Sequence, residues 1–146
     1  MKARRVQPPA RLQASRFEGA VDGRRVQLVG LQSSHLQASV CNHGSRLLEL
    51  WVSDAQGQWR DVVLGYDHLK QMLDGMASMG AFVGRYANRI AYASFPFGTQ
   101  RWSVPANEGP HCLHGGPGGS RHRVFDITKL HEDRVDMAWT FRTNDD

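Results

Sequence analysis

From residue 135 to residue 141 apolar and polar side chains alternate: Val135, Met137, Trp139 and Phe141 fall on one side, Asp136, Ala138 and Thr140 on the other. A period of two marks an extended strand, because successive side chains leave opposite faces of the backbone. Such a strand has one face to bury and needs sheet neighbours to bury it. Weaker versions of the pattern recur at Val26 and Leu28, at Leu36, Ala38 and Val40, at Phe95 and Phe97, at Trp102 and Val104, and at Val124 and Ile127. The apolar runs at 46–52 and 61–64 read as strands too. Asn42-His43-Gly44-Ser45 and Asp54-Ala55-Gln56-Gly57 supply turns, and 15 glycines suit a chain that reverses often. One segment departs from this rhythm. Residues 66–73 carry Leu69, Met72 and Leu73 at helical spacing and end near Gly75, which predicts one short helix. Many short strands between turns predict an all-β fold, an antiparallel β-sandwich or a barrel, rather than a parallel α/β fold.

At 146 residues the chain has the length of one domain. Residues 1–15, with Pro8-Pro9, several Arg and few apolar groups, are expected to be a mobile basic lead, with order beginning near Phe17 and the domain occupying 16–146. The formal net charge of +4 could point to nucleic acid or an anionic membrane. Its distribution points away from both. Arg4, Arg5, Arg11, Arg16, Arg24 and Arg25 hold much of the excess near the N-terminus, and the remaining cations are interspersed with Asp and Glu. Only Cys41 and Cys112 occur, far apart and in no metal or disulfide framework, which suggests reduced thiols in the cytoplasm. No apolar run resembles a secretory signal or a membrane span.

Two stretches carry chemistry. The first is Gly84-Arg85-Tyr86-Ala87-Asn88-Arg89-Ile90. Its guanidiniums donate in a planar fork and its amide both donates and accepts, which suits vicinal hydroxyls or a carboxylate. The bland alternative is a strand-edge arginine paired with Asp61 or Asp74. The second stretch is Leu113-His114-Gly115-Gly116-Pro117-Gly118-Gly119, which lets backbone approach a ligand closely beside an imidazole. It could also be a plain mobile loop. A phosphate cradle would need the Gly-Lys-Ser/Thr spacing that is missing here. His111 and His114, with Cys112 and His122 nearby, are zinc-ligand types without an established spacing, and no metal is assigned to them.

Taken together, Gly-Arg-x-x-Asn-Arg-Ile followed at this separation by Leu-His-Gly-Gly resembles the paired signature of the aldose 1-epimerases, the galactose mutarotase family. Asp61-Val62-Val63-Leu64-Gly65-Tyr66-Asp67 and Asn107-Glu108-Gly109-Pro110 add to the likeness, which runs from about Phe17 to the end of the chain. It covers the front part of the family's length. The resemblance implies part of the large antiparallel supersandwich that the family adopts. It also implies a hexose substrate such as galactose or glucose, and sugar contacts from Asn88, Arg89 and His114, with Arg85 in a less defined role. Ala93 and residues 120–123 depart from the family pattern, which affects the exit of the glycine loop.

Mutarotation opens a hemiacetal and recloses it on the other face, which needs a base at the anomeric hydroxyl and an acid at the ring oxygen, and no cofactor. In relatives the acid is a histidine and the base a glutamate, both of which would fall beyond Asp146. The resemblance therefore implies a truncated epimerase that keeps the sugar-binding side, His114 stabilising the ring oxygen in the transition state, and that has little or no activity. A non-catalytic carbohydrate-binding or interaction fragment is the alternative. Unpaired strand edges of a partial sandwich would favour self-association. The preferred hexose cannot be read from these residues.

Overall fold

The computed structural model describes residues 9–142. It begins with a 3-10 turn, Ala14–Phe17, that lowers Phe17 into the core, and continues into the hairpin of β1 (Gly19–Val21) and β2 (Arg24–Val26). β3 (Leu28–Gln32), β4 (Leu36–Cys41), β5 (Arg46–Ser53) and β6 (Trp59–Asp61) then form a four-stranded antiparallel sheet in chain order. After the helix α1 (Leu69–Asp74) the chain builds two-stranded ribbons. β7 (Arg89–Ile90) pairs with β10 (Cys112–Leu113), β8 (Ser94–Phe97) with β9 (Gln100–Ser103), and β11 (Asp126–Leu130) with β12 (Val135–Ala138). The all-β antiparallel class expected from the alternation is the class observed, and α1 is the one α-helix among the described residues.

Local chemistry sets the boundaries. α1 starts one turn later than its periodicity suggested, because His68 Nδ1 accepts from Gln71 N at 3.1 Å and so caps the first turn. β6 covers 59–61 rather than 61–64. Asp61 Oδ1 accepts from both Leu50 N and Val63 N, ending the ladder and turning the chain. Residues 54–58 form the expected turn around the Asp54 carboxylate, which takes the Gln56 and Gln58 amides.

The core lies on one face of the sheet. Phe17, Val26, Cys41, Leu48, Tyr66, Met72 and Val124 pack there, flanked by Leu12, Val21, Leu28, Leu69 and Met79. Burying Phe17 contributes about 2 kcal/mol. On β4 the apolar alternation misleads. Gln37, Ser39 and Cys41 are the buried positions, while Leu36 is 43% exposed. The reason is Glu49, which sits opposite Ser39 and is also buried. Its Oε1 accepts from Ser39 Oγ and from Leu12 N, and its Oε2 from Trp51 Nε1 at 3.0 Å. A carboxylate with three donors can be buried where an unpaired one could not. A bulge in β5 between the partners of Ser39 and Val40 gives the strand one extra residue, Leu48, which is buried in the core.

Of the lead expected over 1–15, residues 1–8 lie outside the described residues. In the remainder, Leu12 is tied to Glu49, and Arg11 Nη2 donates to Gln32 Oε1 at 2.6 Å. Among the described residues no helix is long and apolar enough to cross a membrane.

The turn expected at 42–45 is buried over residues 42–44. Asn42 Oδ1 accepts from Gln27 N, its Nδ2 donates to Arg25 O and Phe125 O, and His43 forms a bridge with Val124. Burial, reinforced by the Arg46 charge, pushes the His43 imidazole down to about 4. The unfolded chain therefore binds a proton below its ordinary value of 6.5 that the folded chain refuses, so stability falls on acidification between pH 6.5 and about 4. Between pH 7 and pH 5 the expected loss is up to about 2 kcal/mol. Urea unfolding at pH 7 and pH 5 should show it, and His43→Gln should flatten the dependence.

Candidate functional site

β7 and β10 bring the two sequence motifs side by side, with Arg89 opposite Leu113 and Ile90 opposite Cys112. One residue beyond this register the pairing changes character. His114 N donates to Asn88 O at 3.0 Å, and Asn88 N donates to His114 Nδ1 at 3.1 Å. Both residues sit in the left-handed region, φ +59 for Asn88 and +53 for His114. Asn and His tolerate that region better than most side chains, and such backbone concentrates at functional sites. Since the His114 Nδ1 lone pair is taken by an N–H, the hydrogen-bond network assigns the ring proton to Nε2, leaving a donor rather than a base.

The glycine loop closes tightly behind His114. Gly115 has φ +83, and a Cβ there would stand 2.2 Å from Gly84 O. The same carbonyl accepts from Ser120 N at 2.9 Å. The first motif thus runs against both ends of the second, and the loop at 115–119 is largely buried.

Arg89 is exposed and forms a bidentate pair with Glu108, Nε to Oε2 at 2.5 Å and Nη2 to Oε1 at 2.6 Å. Neither Asp61 nor Asp74 is its partner. Asp61 serves backbone amides, and Asp74 pairs with Lys70. Hydrogen bonding to Arg89 holds the Glu108 carboxyl below the usual carboxylate range, and the pair raises Arg89. In the sequence Glu108 figures only within the supporting stretch Asn107-Glu108-Gly109-Pro110, with no role of its own. The signal that could have found it is the turn Asn107-Glu108-Gly109-Pro110, whose backbone closes by a bridge between Glu108 and His111. Asn107 is a second missed residue. Its amide mimics a strand partner, accepting from Leu113 N at 2.7 Å and donating to Leu113 O at 3.0 Å.

Other sequence candidates go elsewhere. Arg85 Nη2 donates to Arg142 O at 2.7 Å and its guanidinium lies 4.8 Å from the Phe141 ring centroid. His111 Nδ1 accepts from Tyr92 N, and its ring tilts against the Tyr92 ring. Cys112 is buried, and His122 Nε2 accepts from Arg121 Nε. Among the described residues no three His, Cys, Asp or Glu side chains come together as a metal-ligating group.

The fold and the paired motifs define a class, the antiparallel β proteins of the aldose epimerase type. The solved aldose epimerase homologue from C. elegans superposes with a TM-score of 0.71 at 31% identity, over 77% of this chain and 35% of that one. Galactose 1-epimerase from Lactobacillus acidophilus shares the fold, with a TM-score of 0.65 at 21% identity. The sequence pattern of the aldose 1-epimerase family matches residues 27–146. Galactose mutarotase of Bos taurus is 40% identical over 94 residues, 64% of this chain and 28% of that protein. Aldose 1-epimerase of Streptococcus thermophilus is 30% identical over 126 residues, 85% of this chain and 36% of that protein. The chain belongs to the aldose 1-epimerase family, and it spans roughly a third of the length of these relatives.

The close approach at Gly115 yields a stability prediction. Gly115→Ala must relieve both a left-handed backbone and a backbone collision, and should lower the unfolding free energy by about 3 kcal/mol. Chemical denaturation measures it, and a loss below about 0.5 kcal/mol would show that the loop is not held against Gly84.

Proposed function

We propose that the chain supplies the sugar-binding side of an aldose 1-epimerase, taking a hexose such as galactose or glucose at Asn88, Arg89 and His114. The observation that carries this reading is the lock between Asn88 and His114, which fixes the His114 ring on the backbone of the residue before Arg89, with Glu108 feeling the charge of both Arg89 and His114. Ring opening transfers negative charge to the ring oxygen as its bond to the anomeric carbon breaks. Fixed N–H donors near that oxygen stabilise the transition state more than the ground state. Arg89 spends part of its donor fork on Glu108 and keeps the rest for ligand oxygens.

The same cluster is poorly equipped to move protons. His114 has its lone pair occupied, and Glu108 is held ionised by Arg89 with a lowered affinity for protons. A general base works best with a pKa near the working pH. Sugar binding without appreciable turnover by this chain alone is therefore the proposal, in the service of the anomer interconversion for which the family is named. Cys41 and Cys112 are buried free thiols, Cys41 pushed up to about 11 by burial, which fits a reducing compartment and a cytoplasmic location. A second reading, self-association, draws on Leu36, Val62 and Leu64, which are 43%, 59% and 79% exposed. Light scattering that stays monomeric as concentration rises would exclude it.

Calorimetry with galactose should give saturable binding that Arg89→Met and His114→Ala each weaken by about tenfold or more. Polarimetry of freshly dissolved α-D-galactose should show the buffer rate of anomer exchange. Saturable acceleration abolished by His114→Ala would overturn the binding-only reading. Absence of hexose binding would overturn the sugar site.

A further inference from the structure

We propose that a cleft on the other side of the glycine loop, between the buried turn at 42–45, α1 and the 3-10 turn Ser120–His122, is a binding site for a phosphate monoester. Its volume is about 340 Å³, within the range for a small organic ligand. His43, Arg46, Arg121 and His122 line it on the polar side, and Val21, Met72, Leu73 and Pro117 give it an apolar wall. Asp22, exposed, is the one carboxylate among its lining residues.

Two features separate this cluster from an ordinary structural arginine. The first is that, among the described residues, neither guanidinium is bonded to a carboxylate. Arg46 donates to carbonyls, Nη1 to Ala77 O and Met79 O and Nη2 to Arg121 O, and its guanidinium lies 5.6 Å from the Tyr66 ring centroid. Arg121 donates to Met76 O, Ser78 Oγ and the neutral His122 Nε2. The second is unmet hydrogen bonding. His43 and Arg46 are only 4% and 3% exposed, yet His43 Nδ1 and Arg46 Nε have no partner. Buried polar atoms are nearly always satisfied, so orphans lining a cavity point to a missing ligand. Burial lowers His43, Arg46 and His122, and repulsion from neighbouring cations adds to it, with Asp22 offsetting part of the effect on His43.

A phosphate ester fits better than a carboxylate. It brings up to two negative charges and several acceptor oxygens to two imidazoles and to the N–H groups that the two guanidiniums leave uncommitted. The apolar wall leaves space for the esterified body. An anion there would raise the proton affinity of His43 and His122, which burial lowers.

The test titrates the chain with glucose 6-phosphate, inorganic phosphate and glucose. It follows the His43 and His122 ring resonances by NMR and measures binding by calorimetry in buffers of different ionisation enthalpy. Glucose 6-phosphate should bind saturably, shift both imidazoles and take up protons. Inorganic phosphate should bind more weakly, and glucose should leave both rings unmoved. Arg121→Gln and His122→Gln should each weaken glucose 6-phosphate by about tenfold or more. His114→Ala should leave this binding intact, which keeps the test independent of the sugar site. No saturable shift, unchanged affinity in both variants, or an equal response to glucose would overturn the proposal. Inorganic phosphate binding as tightly as the ester would overturn the assignment to an ester.

Discussion

Asn88 and His114 are joined twice, by a main-chain bond from His114 to Asn88 and by a bond from the Asn88 amide to the His114 ring, and most of the site's geometry follows from that pair. The two-residue ladder of β7 and β10 is too short to orient anything by itself. Extending it by one unconventional pair requires both residues to enter the left-handed region, and this turns the chain sharply on each side. Arg89 then emerges beside Leu113, within reach of Glu108, while the glycine loop departs under Gly84. Local backbone strain here is outweighed by bonds that each satisfy a group the turn would otherwise leave unpaired.

A similar economy operates in the core, where polar side chains stand in for backbone. The Asn42 amide ties together Gln27, Arg25 and Phe125, and Glu49 collects Leu12, Ser39 and Trp51. These contacts bring the N-terminal segment and the segment around Val124 onto the same sheet. With few apolar residues fully buried, such satisfied polar hubs do much of the positioning that a larger core would do by packing.

Side-chain period and turn chemistry made the β class and the single helix legible, because both depend on residues close in sequence. The paired motifs were legible as ligand chemistry for the same reason. What escaped was set by partners distant in the chain. On β4 the aliphatic residues at 36, 38 and 40 suggested the buried face, but Glu49 opposite Ser39 reversed it. Arg89 had plausible acids at 61 and 74, yet its partner is Glu108, which the turn before β10 delivers. The turn at 42–45 was legible as a turn, but its burial was not. Its burial depends on residues 121–125, some eighty positions later.

The loop at 115–119 separates the two polar sites and touches both, His114 at its entry and Pro117 and Arg121 on the wall of the cationic cleft. It has little freedom to move independently of them. Gly44 N donates to Arg123 O, and a Cβ at Gly44 would stand 2.8 Å from Arg121 O, so the exit of the loop is pressed against the buried turn that carries His43. Tightly packed segments respond to strain by shifting between discrete arrangements rather than deforming continuously. Held in this way, the loop forms a fixed wall that the two sites share, and occupation of one does not require the other to rearrange.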